Sequence, residues 1–306
     1  MSWVLILEQL LNGLQFGLML FLLAAGLTLV FGIMDMINLA HGSLYMLGAF
    51  LAAALVQATG SFTLGVLLAI PATAVLGMLL EMSVLRTLYA RDHLSQVLAT
   101  FALILILNEV VHIIWGTDAP MSMPASLTGP VELLPGMPYP AYRLLIIAVG
   151  AAVAFLLWLV VAKTRVGMQV RAGASNREMA LALGIDVPRL FTFVFGAGAA
   201  LCAVAGAMLA PLLAVQVGMG ENILILAFVV IVIGGIGSIR GAFVAALLVG
   251  IVDAVGRAYL RPLLALMTTR AAADSAGPAL ASMLIYILMA AVLFVRPQGL
   301  FPPRGR

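Results

Sequence analysis

QLLNGLQFGLMLFLLAAGLTLVFGI, residues 9–33, contains no Asp, Glu, Lys or Arg. A helix rises ~1.5 Å per residue and bilayer hydrocarbon is ~30 Å thick, so about 20 apolar residues suffice to cross it. Barrel strands would instead alternate polar and apolar residues over ~10 positions, and this run does not alternate. It therefore predicts a membrane helix. No basic stretch precedes it and it is longer than the apolar core of a secretion signal, so we read it as a permanent span.

Working outward, similar runs occupy 42–59, 61–81, 96–116, 141–161, 190–214, 222–237, 241–259 and 279–295. The 306 residues are 64% hydrophobic and only 9% charged, against ~25% charged for a soluble domain. With a mean hydropathy of +1.22, most side chains must face lipid or other helices. This excludes a soluble enzyme. A nucleic-acid binder is excluded too, because the net charge is only +3 and no Lys/Arg cluster could follow a phosphate backbone. The expected fold is an all-α polytopic integral membrane protein, one transmembrane domain over 1–306, with eight or nine helices, some broken or re-entrant. The single cysteine, Cys202, cannot form an internal disulfide and is expected to be a small lipid- or helix-facing residue.

Orientation follows from where the basic residues fall. The loop 162–189 holds Lys163, Arg165, Arg171, Arg177 and Arg189 and reads as cytoplasmic, as do Arg86, Arg91 and the tail with Arg296, Arg304 and Arg306. The loop 117–140 has no Lys or Arg and six prolines, and reads as a rigid exported segment. Between 189 and 296 the number of crossings must then be even. Residues 222–259 therefore either cross twice, meeting inside near Arg240, or form a re-entrant pair; both versions put 260–278 outside despite Arg261 and Arg270.

Four features interrupt the apolar sequence. Between the first two spans lie Asp35, Asn38, His41 and flanking glycines Gly32 and Gly42. An unpaired Asp near the bilayer centre costs ~3 kcal/mol, so these residues line a polar cavity, pair with one another or sit at the interface. A broken helix presents free backbone groups to a polar solute; an interfacial turn with a capping Asn and a hydrated His fits the same residues. In the basic loop, Ser175 is expected to cap a short helix, Glu178 to complete a capping box and Gly184 to end it before Pro188. Its small residues Ala180, Ala182 and Gly184 would let another protein approach closely, although an interfacial amphipathic helix reads alike.

The third feature, Gly234 to Gly241, misses the G-x-G-x-x-G spacing and reads as a tight turn or close helix crossing. The fourth is the scatter of Glu81, Glu109, Glu221 and Asp253. Glu81 and Glu221 lie near span ends where hydration is cheap; Glu109 and His112 can pair at i, i+3. The only lysine, Lys163, follows no phosphate-loop glycines, so the chain carries no Walker A motif.

Residues 26–50, GLTLVFGIMDMINLAHGSLYMLGAF, resemble the signature of the shorter permease subunit of branched-chain amino acid ABC importers, met here by Gly32, Ile37, Asn38, Ala40, His41, Gly42, Met46 and Gly48. Arg171 to Pro188 resembles the family's coupling loop, with Glu178, Met179, Ala180 and Gly184 on the E-A-A-x-x-x-G spacing and Met in place of the first Ala. Gly234 to Gly241 is similar to a third block, with Arg240 where proline is often seen. The resemblance implies a subunit without enzymatic activity or bound cofactor in a bacterial inner membrane, its C-terminus cytoplasmic. It also implies a second permease, two ATPase subunits that hydrolyse ATP, and a periplasmic binding protein that delivers the solute. Asp35, Asn38, His41, Gly42 and Tyr45 are expected along the translocation path, and Arg171, Glu178, Met179, Ala180 and Gly184 at the ATPase contact. The solute is expected to be a branched-chain or related amino acid; urea or a short amide in the same importer class, and an ion-coupled secondary transporter using Glu109 or Asp253, are the alternatives.

Overall fold

The computed structural model describes residues 3–301; Arg304 and Arg306 of the basic tail lie outside the described residues. Helices α1 (Trp3–Met34) and α2 (His41–Thr59) are followed by α3 (Phe62–Leu80), a π turn (Glu81–Leu85) and α4 (Arg86–Leu88). These last three form one continuous rod, Phe62–Leu88. After α5 (His93–Trp115) comes an antiparallel hairpin of β1 (Pro130–Leu134) and β2 (Met137–Pro140), then α6 (Ala141–Lys163). The loop helices α7 (Arg165–Ser175) and α8 (Arg177–Ala182) lead to α9 (Val187–Leu209), α10 (Met219–Gly234), α11 (Ile239–Met267) and α12 (Arg270–Val295). Among the described residues eight helices are long and apolar enough to cross a membrane, and α10 is a shorter apolar helix. The chain is thus an all-α polytopic membrane protein.

Local chemistry explains the boundaries. The side chains of Ser61, Asp92, Thr164, Asp186, Ser238 and Thr269 each accept a backbone N–H from the first turn of the helix they precede, satisfying donors that a helix start leaves orphaned. The hairpin inside 117–140 was not foreseen, because its prolines read only as loop.

Two ends can be told apart. At the hairpin end, the Tyr139 hydroxyl donates to Asn12 Oδ1 (3.0 Å) and the Tyr142 hydroxyl to the Met208 carbonyl (2.9 Å). At the tail end, the N–H groups of Leu300 and Phe301 donate to the carbonyls of Ile233 and Gly234 (2.8 and 3.0 Å). Helix α10 links the two ends, since the chain just before it pairs through Val217 and Val215 with Thr117 and Ala119. Its 16 residues span only about 24 Å, because it begins beneath the hairpin-end surface. Helix α11, with 29 residues, runs the full depth back. The two-crossing reading of 222–259 therefore holds over the re-entrant one. The segment 260–278 is nearly all helix, and Arg261 is neutralised by Asp274 at 2.6 Å, which removes much of its cost on that side.

Helices α1 and α9 run in opposite directions through the centre, 83% and 78% of their apolar windows being buried. Each is followed by a non-helical break, 35–40 and 210–218, and then by a helix that starts inside the bundle, α2 and α10. Helix α1 packs on α11 as α9 packs on α3. Equivalent residues meet across the pseudo-axis: Gly26 faces Gly198, and a Cβ on either Gly42 or Gly220 would run into the other's carbonyl. This is an inverted-topology repeat, an arrangement that concentrates helix breaks at mid-membrane.

Candidate functional site

Helix α1 ends at Met34, and Asp35 takes φ 51°, a left-handed conformation that a short polar side chain tolerates. Asp35 is exposed. The Asn38 Oδ1 accepts from Ala40 N–H at 3.0 Å, closing a local turn that lets α2 restart at His41. His41 Nε2 lies 3.1 Å from Cys202 Sγ on α9, so the cysteine is helix-facing. Asn38 and His41 are fully buried and Tyr45 is nearly so, while Gly42 is locked against Gly220. Asn38, His41, Gly42 and Tyr45 are thus brought together as a packed central joint. Two polar atoms there are under-satisfied: Asn38 Nδ2 and His41 Nδ1 are buried and have no hydrogen-bond partner among the described residues. Buried groups of this kind are rare.

In the basic loop the expected helix exists with shifted chemistry. Ser175 is the last residue of α7, and Asn176 supplies the cap of α8, its Oδ1 accepting from Met179 N–H at 2.9 Å. The third position of α8 is therefore Met179, and Glu178 cannot close a capping box. Ala180 is 1% exposed, so its small side chain packs within the chain. Arg171 reaches back to the Val161 carbonyl. Gly184, at φ 83°, ends the turn as expected. Glu178 and Gly184 are exposed, together with Met179, Leu181 and Leu183 at 57%, 49% and 74%.

A buried ionic cluster beneath this loop was missed. Glu81 was expected to be hydrated at a span end, yet it is fully buried. Arg86 donates to both its oxygens (Nε to Oε1 3.3 Å, a terminal nitrogen to Oε2 3.1 Å), the Tyr89 hydroxyl donates to Oε1 (2.8 Å) and the Thr192 hydroxyl to Oε2 (2.7 Å). Burial, and next the bond to Glu81, push the Tyr89 phenol up. The Tyr89 ring packs edge-on against Phe191 (5.4 Å), and Arg177 of α8 lies 4.7 Å over the Phe191 ring. A line of contacts thus runs from α8 through Phe191 and Tyr89 to the feet of α3 and α9.

The remaining acids are paired. Glu109 meets His112 at 3.9 Å as expected, with both exposed. Glu221 accepts from Asn108 at 2.6 Å, so it is partnered inside the bundle instead of hydrated at an end. Asp253 is bound by Arg257 at 2.8 Å.

The family model of the branched-chain amino acid transport system permease component matches residues 9–293. Among curated relatives, the high-affinity branched-chain amino acid transport system permease protein BraD of Pseudomonas aeruginosa is 32% identical, over 96% of this chain and 95% of its own length. The permease proteins LivH of Escherichia coli K12 and Salmonella typhimurium are 31% and 30% identical, each over 83% of this chain and 87% of theirs. No solved structure matches.

Proposed function

This chain belongs to the permease-component family of branched-chain amino acid transport systems, and from that premise we propose that it is one permease subunit of an ATP-driven importer. It pairs with a second permease in a bacterial inner membrane. A periplasmic binding protein delivers a branched-chain or related amino acid at the hairpin end, and two ATPase subunits dock at the tail end, which faces the cytoplasm with the C-terminus.

The observation that carries this reading is α8: a short capped helix outside the membrane spans that exposes Met179 and Leu181, with Leu183 exposed just after it, while its Arg177 is tied to the bundle through Phe191. Exposed apolar groups beside charged ones mark a protein contact. Closure of the ATPase pair around ATP would displace α8, and the Phe191, Tyr89 and Glu81 contacts would pass that displacement to α3 and α9. Helix α9 holds Cys202 against His41, so its movement opens the packed joint. Asn38 Nδ2 and His41 Nδ1, under-satisfied when the joint is closed, then meet a polar solute in passing. ATP drives transport only if the partners bind the two arrangements with different free energies. The exposed Glu109 and His112 on α5 are costly against lipid, which supports the second permease or a water-filled route at that face.

The test is copurification and uptake. Glu178→Arg and Gly184→Trp, both at exposed positions, should abolish ATPase association and leucine uptake while leaving the permease in the membrane. Normal uptake in both would remove the coupling assignment, and a chain that never copurifies with an ATPase from its own operon would end the importer reading.

A further inference from the structure

A trough of about 640 Å³ runs along the outside of the bundle between α1, α6 and α11, walled by Leu14, Phe21, Ile147, Phe155 and Phe243. From Ile147 to Trp158 it follows 12 residues of α6, about 16 Å of depth. At the tail end it shares Trp158, Ile239, Arg240 and Phe301 with a second cavity of about 870 Å³, which Arg171 and Ser238 also line. An apolar slot therefore opens into a basic mouth. Among the described residues no carboxylate lines either cavity. Arg240 makes no hydrogen bond or ion pair among the described residues, and Arg171 donates only to a backbone carbonyl. Two guanidinium groups with no counter-anion among the described residues, at the membrane-surface end of a slot that Ala151, Phe155 and Trp158 leave open to the bilayer, match one class of ligand in charge and shape.

We propose that this trough binds an anionic glycerophospholipid, one acyl chain lying along α6 and the phosphate held between Arg171 and Arg240. Guanidinium forks suit phosphate geometry, basic pockets between membrane helices recognise anionic headgroups, and Trp158 sits at the level where an indole bridges tail and headgroup. Occupancy would fill the space between α6 and the central α1 and α11 and so fix α6 to the rest of the bundle.

The test uses the intact importer, purified in mild detergent and exchanged into micelles holding equal amounts of phosphatidylglycerol and phosphatidylcholine, with bound lipid counted by native mass spectrometry. Phosphatidylglycerol should be retained over phosphatidylcholine by at least ~5-fold, the discrimination one arginine supplies. Arg240→Gln should lower that ratio by about 5-fold. Ala151→Trp, which stands an indole in the trough, should cut retained phosphatidylglycerol at least as much with the complex intact. Equal retention of the two lipids by the wild type, or unchanged phosphatidylglycerol in both variants, would overturn the proposal. So would efficient crosslinking of Ala151→Cys to the second permease, since a protein would then occupy the trough.

Discussion

The breaks at 35–40 and 210–218 occupy equivalent places in the two halves of the repeat but are built from different chemistry. The first is short and built around a polar side chain: Asn38 closes a turn onto Ala40, and His41 at the start of α2 meets Cys202 of α9. The second, Ala210 to Gly218, is apolar and contains Pro211. It borrows its hydrogen bonds from the loop after α5, through Ala119 to Val215 and Val217 to Thr117. Backbone groups inside a membrane protein must be paired somewhere, and the two halves have solved that separately. One break is tied to an external loop, so its motion must follow that loop. The other can rearrange within the bundle, and it is the one that carries the under-satisfied polar atoms.

The contact that binds the two breaks together is Gly42 against Gly220. Here even a methyl group would meet a carbonyl oxygen, and both neighbours are backbone that cannot rotate away. Gly42→Leu should be the most damaging single change, costing beyond the ~1–3 kcal/mol usual for core overpacking. Its folded yield in detergent, by size-exclusion profile and thermal unfolding, should collapse, and Gly220→Leu should match it. If either variant folds like the wild type, the two breaks do not meet.

Next in size is the ionic cluster that holds the foot of the α9 arm. Glu81→Ala removes the main partner of Arg86 and Tyr89, but Thr192 keeps the Pro188 carbonyl and Arg86, and Arg86, 41% exposed, recovers part of its loss in water. A cost of ~2 kcal/mol is expected, read as a lower unfolding temperature. Glu81→Gln keeps the shape and two hydrogen bonds, so it should restore much of the stability yet still lower transport per ATP hydrolysed. Wild-type coupling in Glu81→Gln would reduce the cluster to a structural role.

That cluster also shows where reading the sequence stopped. Apolar run length located the eight helices long enough to cross a membrane, and the shorter α10 with them, because hydrocarbon thickness acts directly on sequence. The break at 35–40 was legible too, since Asp35, Asn38 and His41 cannot continue a lipid-facing helix. Glu81 and Arg86 were not legible as a pair. They are five residues apart, one too many for the i, i+4 face of an α-helix, and only the π turn at Glu81–Leu85 brings i and i+5 into line. Thr192, 111 residues beyond Glu81, is unreachable by any local pattern. The shift of the α8 cap from Ser175 to Asn176 has a similar cause. Ser175 is consumed by α7, a helix hidden in sequence because its apolar residues are few.

The smallest structural effect, and the sharpest test of the difference between the breaks, belongs to Asn38→Leu. The substitution loses the Oδ1 bond that closes the turn, worth ~1 kcal/mol, but it also removes an Nδ2 that is buried without a partner, and the two changes largely offset. Stability and ATPase association should therefore stay within about 1 kcal/mol of wild type, while leucine uptake falls several-fold because the opened joint has lost a polar group. The matched change in the second break, Gln216→Leu, should leave uptake nearly unaltered, since that break is held by backbone pairing with the loop and not by its side chains. If Asn38→Leu transports normally, the first break is only a turn. Should Gln216→Leu lose uptake to the same degree, the two breaks share the work and their different chemistry is not functional.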